Sequence, residues 1–215
     1  MDLIQKINDG RTYRAFALVS EKPDDAESYN VRGYASTFEQ AYTLWDDAQS
    51  RLDEIIDRHA FDECDMSDVI FQYDHEGRVF ARTSNDTLKI TTDDHGLLVN
   101  AYLGGTDIGR GLYGEIKGGY TSKMSFGFRV DEDKITSEER DGKVLYIRRI
   151  TKIRKLYDVS AVSMPANDGT EISARSLRDG AIAKLEAERL VKAEREKTIR
   201  AMLEKIETMK KGAEL

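Results

Sequence analysis

Several residue types are scarce in this sequence, and each scarcity excludes a class of protein. Cys64 is the only cysteine, so the chain forms no internal disulfide and fits a reducing compartment. It lies among carboxylates in the run DECD, which disfavour a thiolate, so Cys64 is a poor candidate nucleophile. No apolar run approaches the roughly 20 residues of a membrane span, and the N-terminus lacks a signal-peptide pattern. We therefore expect no membrane partner.

Basic residues are outnumbered, with 33 Lys and Arg against 40 Asp and Glu and a net charge of −7. Residues 181–215 hold 9 Lys and Arg and 7 Glu, which leaves 24 against 33 for residues 1–180. The main body is therefore near −9 and the tail near +2. Because phosphate contacts need clustered Lys and Arg, this acidic body argues against a nucleic-acid partner.

Histidine and cysteine are also few, and they are poorly spaced for a metal site. The three histidines, His59, His75 and His95, form no H-E-x-x-H pattern, and a single cysteine forms no C-x-x-C. We expect no metal, although a site assembled from distant loops stays open at this point. No cofactor motif stands out.

Alternation of apolar and polar residues predicts many short strands. They fall at residues 11–21, 29–37, 69–103, 122–130, 144–153 and 155–164. Pro23, Asp24 and Asp25 predict a hairpin loop between the first two strands. Apolar residues at helical spacing predict short helices at 52–63 and 106–119, and the polar run 131–143 predicts an exposed flap.

The fold class is therefore mainly β with peripheral helices (α+β). We expect a closed or nearly closed β-barrel with the helices outside, since closure removes the exposed edges of so many strands.

Residues 179–211 differ from the rest of the chain. They contain no proline and no aromatic residue, and Ile199, Leu203, Ile206 and Met209 form an apolar stripe at three- and four-residue steps. This pattern predicts a long charged helix that docks a partner or forms a coiled coil. We therefore expect two domains, a body at 1–176 and a charged helical tail at 177–215.

One predicted strand presents a serine in a suggestive setting. In the run K-M-S-F-G-F (123–128), Met124, Phe126 and Phe128 share one face, and Ser125 and Gly127 share the other. The missing side chain of Gly127 would leave room for a substrate backbone beside the Ser125 hydroxyl. Taken alone, a serine in this position is more often a small polar residue on the outer face of a strand.

A second strand carries an acidic residue that needs a partner. Asp158 lies in L-Y-D-V-S-A-V, where an aspartate is disfavoured unless it is paired. The partner is either a histidine ring nitrogen or an arginine of the preceding segment, and the sequence leaves both open (Arg148, Arg149, Arg154). Ser125, His75 and Asp158 supply the residue types of a nucleophile, its base and an orienting group, but only a fold brings such groups together.

A set of ordered blocks resembles one family. The blocks are R-G-Y-A-S-T-F (32–38), E-I-I-D-R-H-A-F (54–61), Y-D-H (73–75), D-D-H-G-L-L-V-N-A (93–101), K-M-S-F-G-F (123–128) and Y-D-V-S-A-V-S-M-P-A-N (157–167). In this order and spacing they resemble the tailed-phage prohead maturation proteases, whose fold is related to the herpesvirus capsid protease, assemblin. The resemblance implies a serine endopeptidase with Ser125 as nucleophile, His75 as base and Asp158 as orienting group.

The sequence departs from the family pattern at two of these places. Asp74 stands where the family commonly has Asn, and Asp158 stands where it often has Glu. The second departure leaves the orienting position with the shorter of the two acidic side chains.

The family role implies partners and a location. Its members act in the host cytoplasm inside the assembling prohead, where they cut the scaffold portion from the major capsid protein and finally digest themselves. The tail would suit co-assembly with scaffold helices or removal, and a homo-oligomer stays open. Two rival hypotheses are a non-catalytic scaffold or capsid-assembly protein with a coiled-coil tail, and a hydrolase with a metal pooled from His59, His75 and His95.

Overall fold

The computed structural model describes residues 11–17, 28–163, 180, 183–188 and 190–203. By its internal contacts the chain divides into two compact units, residues 1–171 and 172–215. The predicted boundary at residue 176 lies outside the described residues and stays a prediction.

Most of the described part of the first unit is β-structure. Its larger sheet consists of β1 (Thr12–Ala17), β3 (Tyr42–Asp46), β4 (Ser50–Ile56), β5 (Ile70–Tyr73), β6 (Glu76–Arg82), β9 (Lys123–Arg140) and β10 (Lys143–Val162). A smaller sheet consists of β2 (Asn30–Thr37), β7 (Leu88–Thr92) and β8 (Gly96–Tyr102). The strands predicted at 11–21, 29–37, 69–103 and 122–130 are confirmed within the described residues, and those predicted at 144–153 and 155–164 are parts of the single strand β10.

The long strand β10 organises the larger sheet. It pairs antiparallel with β9 along its length, parallel with β4 through residues 144–150, and parallel with β5 through residues 158–161. Register shifts between Ile150 and Asp158 interrupt the ladder with β9. These irregularities bend the paired strands and let one strand serve two different neighbours.

The expected barrel closure is wrong. The larger sheet runs β1-β9-β10-β4-β3, with β5 and β6 branching from β10, while β2-β8-β7 forms a separate sheet. The hairpin predicted between the first two strands is also wrong, because β1 pairs with β9 and β2 pairs with β8. The loop around Pro23 lies outside the described residues.

The helix predicted at 52–63 is wrong as well. Residues Ser50–Ile56 form strand β4, and turns follow at 58–63. Leu52, Glu54 and Ile56 are buried at alternate positions of this strand, and β4 pairs with a neighbour on each side. Because two ladders satisfy its backbone, tertiary pairing overrides the local helical spacing.

The helix predicted at 106–119 is confirmed as α1 (Asp107–Lys117). Thr106 caps it by accepting a hydrogen bond from the Gly109 amide at 3.1 Å. A Cβ on Gly109 would lie 2.2 Å from the carbonyl oxygen of Leu103, so this glycine allows a close helix–strand approach. Leu112 and Ile116 bury the apolar face.

The exposed flap predicted at 131–143 is the far end of the β9–β10 hairpin. The strands continue to Arg140 and resume at Lys143, and Asp141 and Gly142 make the turn with positive φ of 55° and 74°. The residues at this end of β9 are exposed or half-buried. The core lies elsewhere, around fully buried aromatic side chains that include Phe71, Phe126 and Phe128.

In the second unit, residues 183–188 and 190–203 are helical. Ile199 and Leu203 of the predicted stripe are about half exposed there, while Ile206 and Met209 lie outside the described residues. The full helix predicted at 179–211 stays a prediction. No helix among the described residues has both the length and the apolar character to cross a membrane.

Candidate active site

His75 lies in the tight turn that joins β5 to β6. Asp74 and His75 are the two central residues, and both have positive φ, 48° and 59°, as a type I′ hairpin turn requires. The Asp74 amide donates to the Ala161 carbonyl at 2.9 Å, and its carboxylate accepts from the Ser163 amide at 2.9 Å. The turn is thereby fixed to the end of β10.

Ser125 and Asp158 lie on neighbouring strands of the same sheet. Ser125 of β9 is opposite Ser160 of β10, and Gly127 is opposite Asp158. Since alternate residues share a face, these four residues stand on one face of the β9–β10 pair. Met124 and Phe126, which alternate with them, are fully buried on the other face.

The structure brings the three predicted site residues together. The distance from His75 Nε2 to Ser125 Oγ is 2.6 Å, and His75 Nδ1 is hydrogen bonded to Asp158 Oδ1. The side chains of His75 and Asp158 are 11% and 5% exposed. The imidazole therefore bridges a hydroxyl and a carboxylate in a nearly enclosed setting, with each ring nitrogen engaged.

Two of the three alternative partners of Asp158 are engaged elsewhere. Arg148 pairs with Glu54 and Asp133 at 2.9 and 2.7 Å. Arg149 pairs with Glu39 and Asp57 at 2.7 and 3.1 Å. Of the partners left open by the sequence, the structure selects the histidine ring for Asp158.

Two further residues of the site were not predicted. Ser160 Oγ donates to Asp158 Oδ1 at 3.0 Å and lies 3.2 Å from His75 Nδ1. The Tyr13 ring meets the His75 ring edge-on with centroids 4.5 Å apart. The alternation of Ser160 with Asp158 was a usable signal, whereas nothing in the sequence linked Tyr13 to position 75.

Gly127 has a steric role at this site. A Cβ at this position would lie 2.3 Å from Asp158 Oδ2 and 2.8 Å from the Tyr13 ring. The sequence predicted room for a substrate backbone beside Gly127. The Asp158 carboxylate and the Tyr13 ring occupy that space instead.

A buried ion-pair cluster lies next to the site. The Arg14 guanidinium holds both carboxylate oxygens of Glu54, with Nε–Oε1 at 2.6 Å and Nη2–Oε2 at 3.0 Å. Burial opposes the charge of Arg14, but the Glu54 carboxylate holds its pKa above the ordinary value. The backbone carbonyl of Arg14 accepts a hydrogen bond from Ser125 Oγ at 2.7 Å.

The other histidines and the cysteine do not join this site. His59 Nδ1 lies 3.0 Å from Asp62 on the surface, and His95 packs against Tyr34. Within the described part of the chain, no cluster of three His, Cys, Asp or Glu residues is arranged to hold a metal. Burial raises the pKa of the Cys64 thiol to about 11.

The comparison with protein families decides the assignment. A model of the caudovirus prohead serine proteases matches residues 17–183. The chain belongs to this family. The matched range includes His75, Ser125 and Asp158. The resemblance predicted from the sequence blocks is confirmed.

The prohead proteases are serine peptidases that act in the assembling capsid. Membership of the family therefore suggests that this chain is a capsid maturation protease. Neither the curated proteins nor the solved structures that were compared include a match to the chain. The predicted relation in fold to the herpesvirus protease therefore stays a prediction.

Proposed function

We propose that this prohead protease family member is a serine endopeptidase with Ser125 as nucleophile, His75 as general base and Asp158 as the group that orients His75. The observation that carries the proposal is the hydrogen-bonded order of hydroxyl, imidazole and carboxylate, with Nε2 2.6 Å from Ser125 Oγ. This order meets the distance requirement for an activated serine. The single hydroxyl hydrogen of Ser125, which is donated to the Arg14 carbonyl in the present arrangement, must turn to Nε2 for the reaction.

The reaction follows from these contacts. His75 Nε2 takes the hydroxyl proton as Ser125 Oγ attacks a peptide carbonyl, and the tetrahedral oxyanion requires backbone N–H donors. The imidazolium then protonates the leaving amine, which gives an acyl-enzyme ester. Water attacks the ester with His75 again accepting the proton, and the carboxylic acid product leaves as Ser125 regains its hydrogen.

Asp158 would have two tasks in this reaction. Its bond to Nδ1 keeps the proton on that nitrogen, which leaves Nε2 as the acceptor for the Ser125 proton. Its negative charge would also stabilise the imidazolium after proton transfer. The hydrogen bond from Ser160 Oγ at 3.0 Å holds the Asp158 carboxylate in this orientation.

The proposed substrate is the scaffold portion of the major capsid protein, followed by the protease chain itself. The family's action in proheads supports this substrate class. The proposed site of action is the interior of the assembling prohead in the host cytoplasm. The chemistry of the three side chains calls for no metal or cofactor.

Ser125→Ala tests the proposal. With capsid protein as substrate, we expect the rate of cleavage to fall by about 10⁴-fold or more, since the nucleophile is lost. Ser137→Ala is the matched control, because Ser137 lies on the same strand near its far end, opposite Tyr146. Cleavage is followed by gel electrophoresis and mass spectrometry of the products.

Unchanged processing by the Ser125→Ala chain would refute the endopeptidase assignment. If proheads assemble with the Ser125→Ala chain and with the Ser137→Ala chain, and capsid protein stays uncut in every sample, the non-catalytic scaffold hypothesis is favoured instead.

A further inference from the structure

Strand β1 covers the proposed nucleophile. It pairs antiparallel with β9, with Ala15 opposite Ser125 and Arg14 opposite Phe126. Ser125 is only 1% exposed, and its Oγ donates to the Arg14 carbonyl oxygen at 2.7 Å. A second peptide cannot present its carbonyl to this hydroxyl while β1 holds the position.

The side chain of Arg14 fills a charged, enclosed pocket. Its guanidinium makes a two-pronged contact with Glu54, and Arg14 and Glu54 are 6% and 0% exposed. The ring of Tyr42 lies 5.9 Å from the guanidinium carbon. A planar fork matched to a carboxylate is the arrangement that distinguishes arginine from lysine and from neutral side chains.

These two contacts belong to the same residue. The backbone carbonyl of Arg14 is at the nucleophilic hydroxyl, while its side chain is bound by a buried carboxylate. A substrate residue on the acyl side of a scissile bond needs both features, a carbonyl within reach of the nucleophile and a side chain held by a specificity pocket.

We propose that β1 occupies the substrate position, and that the enzyme prefers arginine as the residue whose carbonyl is attacked, with Glu54 as the specificity-determining residue. The inference rests on the proposed function and names its substrate class, an extended peptide with arginine before the scissile bond. In the present arrangement β1 is an internal inhibitor that an entering substrate strand replaces.

Glu54 has a second partner that remains in the pocket after this exchange. Arg148 Nη1 lies 2.9 Å from Glu54 Oε2, and Arg148 Nε lies 2.7 Å from Asp133. When Arg14 leaves, Glu54 keeps Arg148 as a partner, so the carboxylate is not left buried and uncompensated.

The test compares two peptides in competition. One has the sequence of residues 11–20 (RTYRAFALVS), and the other has citrulline, the neutral isostere of arginine, in place of Arg14. Full-length wild-type protein should cut the first peptide between Arg14 and Ala15 with kcat/KM at least ~100-fold above that for the citrulline peptide. Because both peptides compete for the same enzyme in one tube, the active fraction of the enzyme and the displacement of β1 affect both reactions equally. The ratio of the two kcat/KM values is therefore independent of them.

Enzyme variants assign the preference to Glu54. Glu54→Gln should reduce the ratio of the two kcat/KM values to near 1 by slowing only the arginine peptide. Asp133→Asn is the matched control because Asp133 contacts Arg148 in the same cluster, and this variant should keep the wild-type ratio. A wild-type ratio near 1, or a ratio unchanged by Glu54→Gln, overturns the inference.

A second measurement covers the case in which Glu54→Gln does not fold. Arg14→Ala loosens β1, so a fluorophosphonate should label Ser125 about 10-fold faster than in wild type. Arg11→Ala, which removes an exposed guanidinium stacked 4.2 Å from the Tyr157 ring, should leave the labelling rate unchanged. Unchanged or slower labelling of the Arg14→Ala chain overturns the inhibitory role of β1.

The two proposals fail in different ways. Ser125-dependent cleavage of capsid protein after non-basic residues, mapped by mass spectrometry, overturns the arginine preference and leaves the peptidase standing. Cleavage of peptide or capsid protein that persists in Ser125→Ala removes the proposed function itself.

Discussion

At the scale of single residues, the proposed site depends on side chains that are small or absent. Ser125 projects from the face opposite the fully buried Met124 and Phe126, so the core holds its backbone in place. On the same face, Gly127 has no side chain, and this lets the Asp158 carboxylate reach His75. A methyl group at this position would compete directly with Asp158 Oδ2.

Gly127→Ala should therefore impair both activity and stability. The added Cβ, 2.3 Å from Asp158 Oδ2, must displace the carboxylate or the Tyr13 ring. We expect a loss of at least ~10-fold in kcat/KM and about 1–3 kcal/mol in the free energy of unfolding. Peptide hydrolysis and urea denaturation measure the two effects.

Gly111→Ala is the matched control for this substitution. Gly111 lies within α1, and a Cβ there would meet no atom within 4 Å. We expect unchanged kcat/KM and a gain of about 0.5–1 kcal/mol in stability, because alanine is the better helix former. Equal effects of the two alanine variants would contradict the steric role of Gly127.

At the scale of elements, the β5–β6 hairpin decides where His75 lies. A two-residue turn with positive φ at both positions is unusual for Asp-His and is held by the contacts of Asp74 with the end of β10. The backbone geometry of this turn thereby sets the position of the His75 imidazole. The Asn that the family commonly has at position 74 tolerates the same left-handed conformation.

Asp74 is accordingly expected to be a positioning residue. Asp74→Ala removes the acceptor for the Ser163 amide and places alanine at φ 48°, so we expect kcat/KM to fall about 10-fold and stability to fall by about 1–2 kcal/mol. Asp74→Asn keeps an acceptor for the Ser163 amide and a side chain that tolerates the left-handed conformation, so this variant should retain most of the activity. If Asn is as damaging as Ala, the turn is not what orients His75.

At the scale of the whole molecule, β10 joins the parts of the site. It carries Asp158 and Ser160, pairs with β9 beside Ser125, and pairs with β5 just before the His75 turn. The site therefore depends on the integrity of the larger sheet. Loss of this sheet in acid therefore becomes a loss of the site.

Acid stability should depend in part on the turn between β3 and β4. The amides of Ser50 and Gln49 donate to Asp47 at 2.7 and 2.8 Å and lower the pKa of this carboxyl from 3.8 to about 2. Because the folded state binds the proton less readily, this stabilisation is complete above pH ~4 and is lost as the pH falls through about 2.

Asp47→Asn should therefore flatten the pH dependence of stability between pH 4 and 2. Urea denaturation at a series of pH values measures the slope, with exposed Asp94→Asn as the surface control. A slope identical to that of wild type would mean that Asp47 titrates alike in the folded and unfolded chain.

The tail should be separable from catalysis. Since residues 1–171 form a compact unit of their own, a chain that ends at Ser176 should keep the kcat/KM of the full chain on peptides. We expect fewer copies to enter each prohead, because the charged helix is the proposed scaffold-docking element. Quantitative mass spectrometry of purified proheads counts the copies, and normal entry of the truncated chain would remove the docking role.

Much of the local structure followed from the sequence. The alternation of apolar and polar residues predicted the segments that form strands β7–β10. The Thr-Asp cap and the helical spacing predicted α1, and the ordered blocks identified the family. The residues predicted for the site, His75, Ser125 and Asp158, are in fact neighbours. These features depend on side-chain alternation and short-range backbone preferences, which a sequence displays directly.

Only the tertiary structure decided how the strands pair. The apolar spacing of residues 52–63 predicted a helix, yet two flanking ladders make Ser50–Ile56 a strand, and β1 joins β9 instead of forming a hairpin with β2. Pairing partners are chosen by burial and hydrogen bonding between segments far apart in the chain. For the same reason the sequence determined which side chains were available for chemistry, and the fold alone placed Arg14 between Ser125 and Glu54.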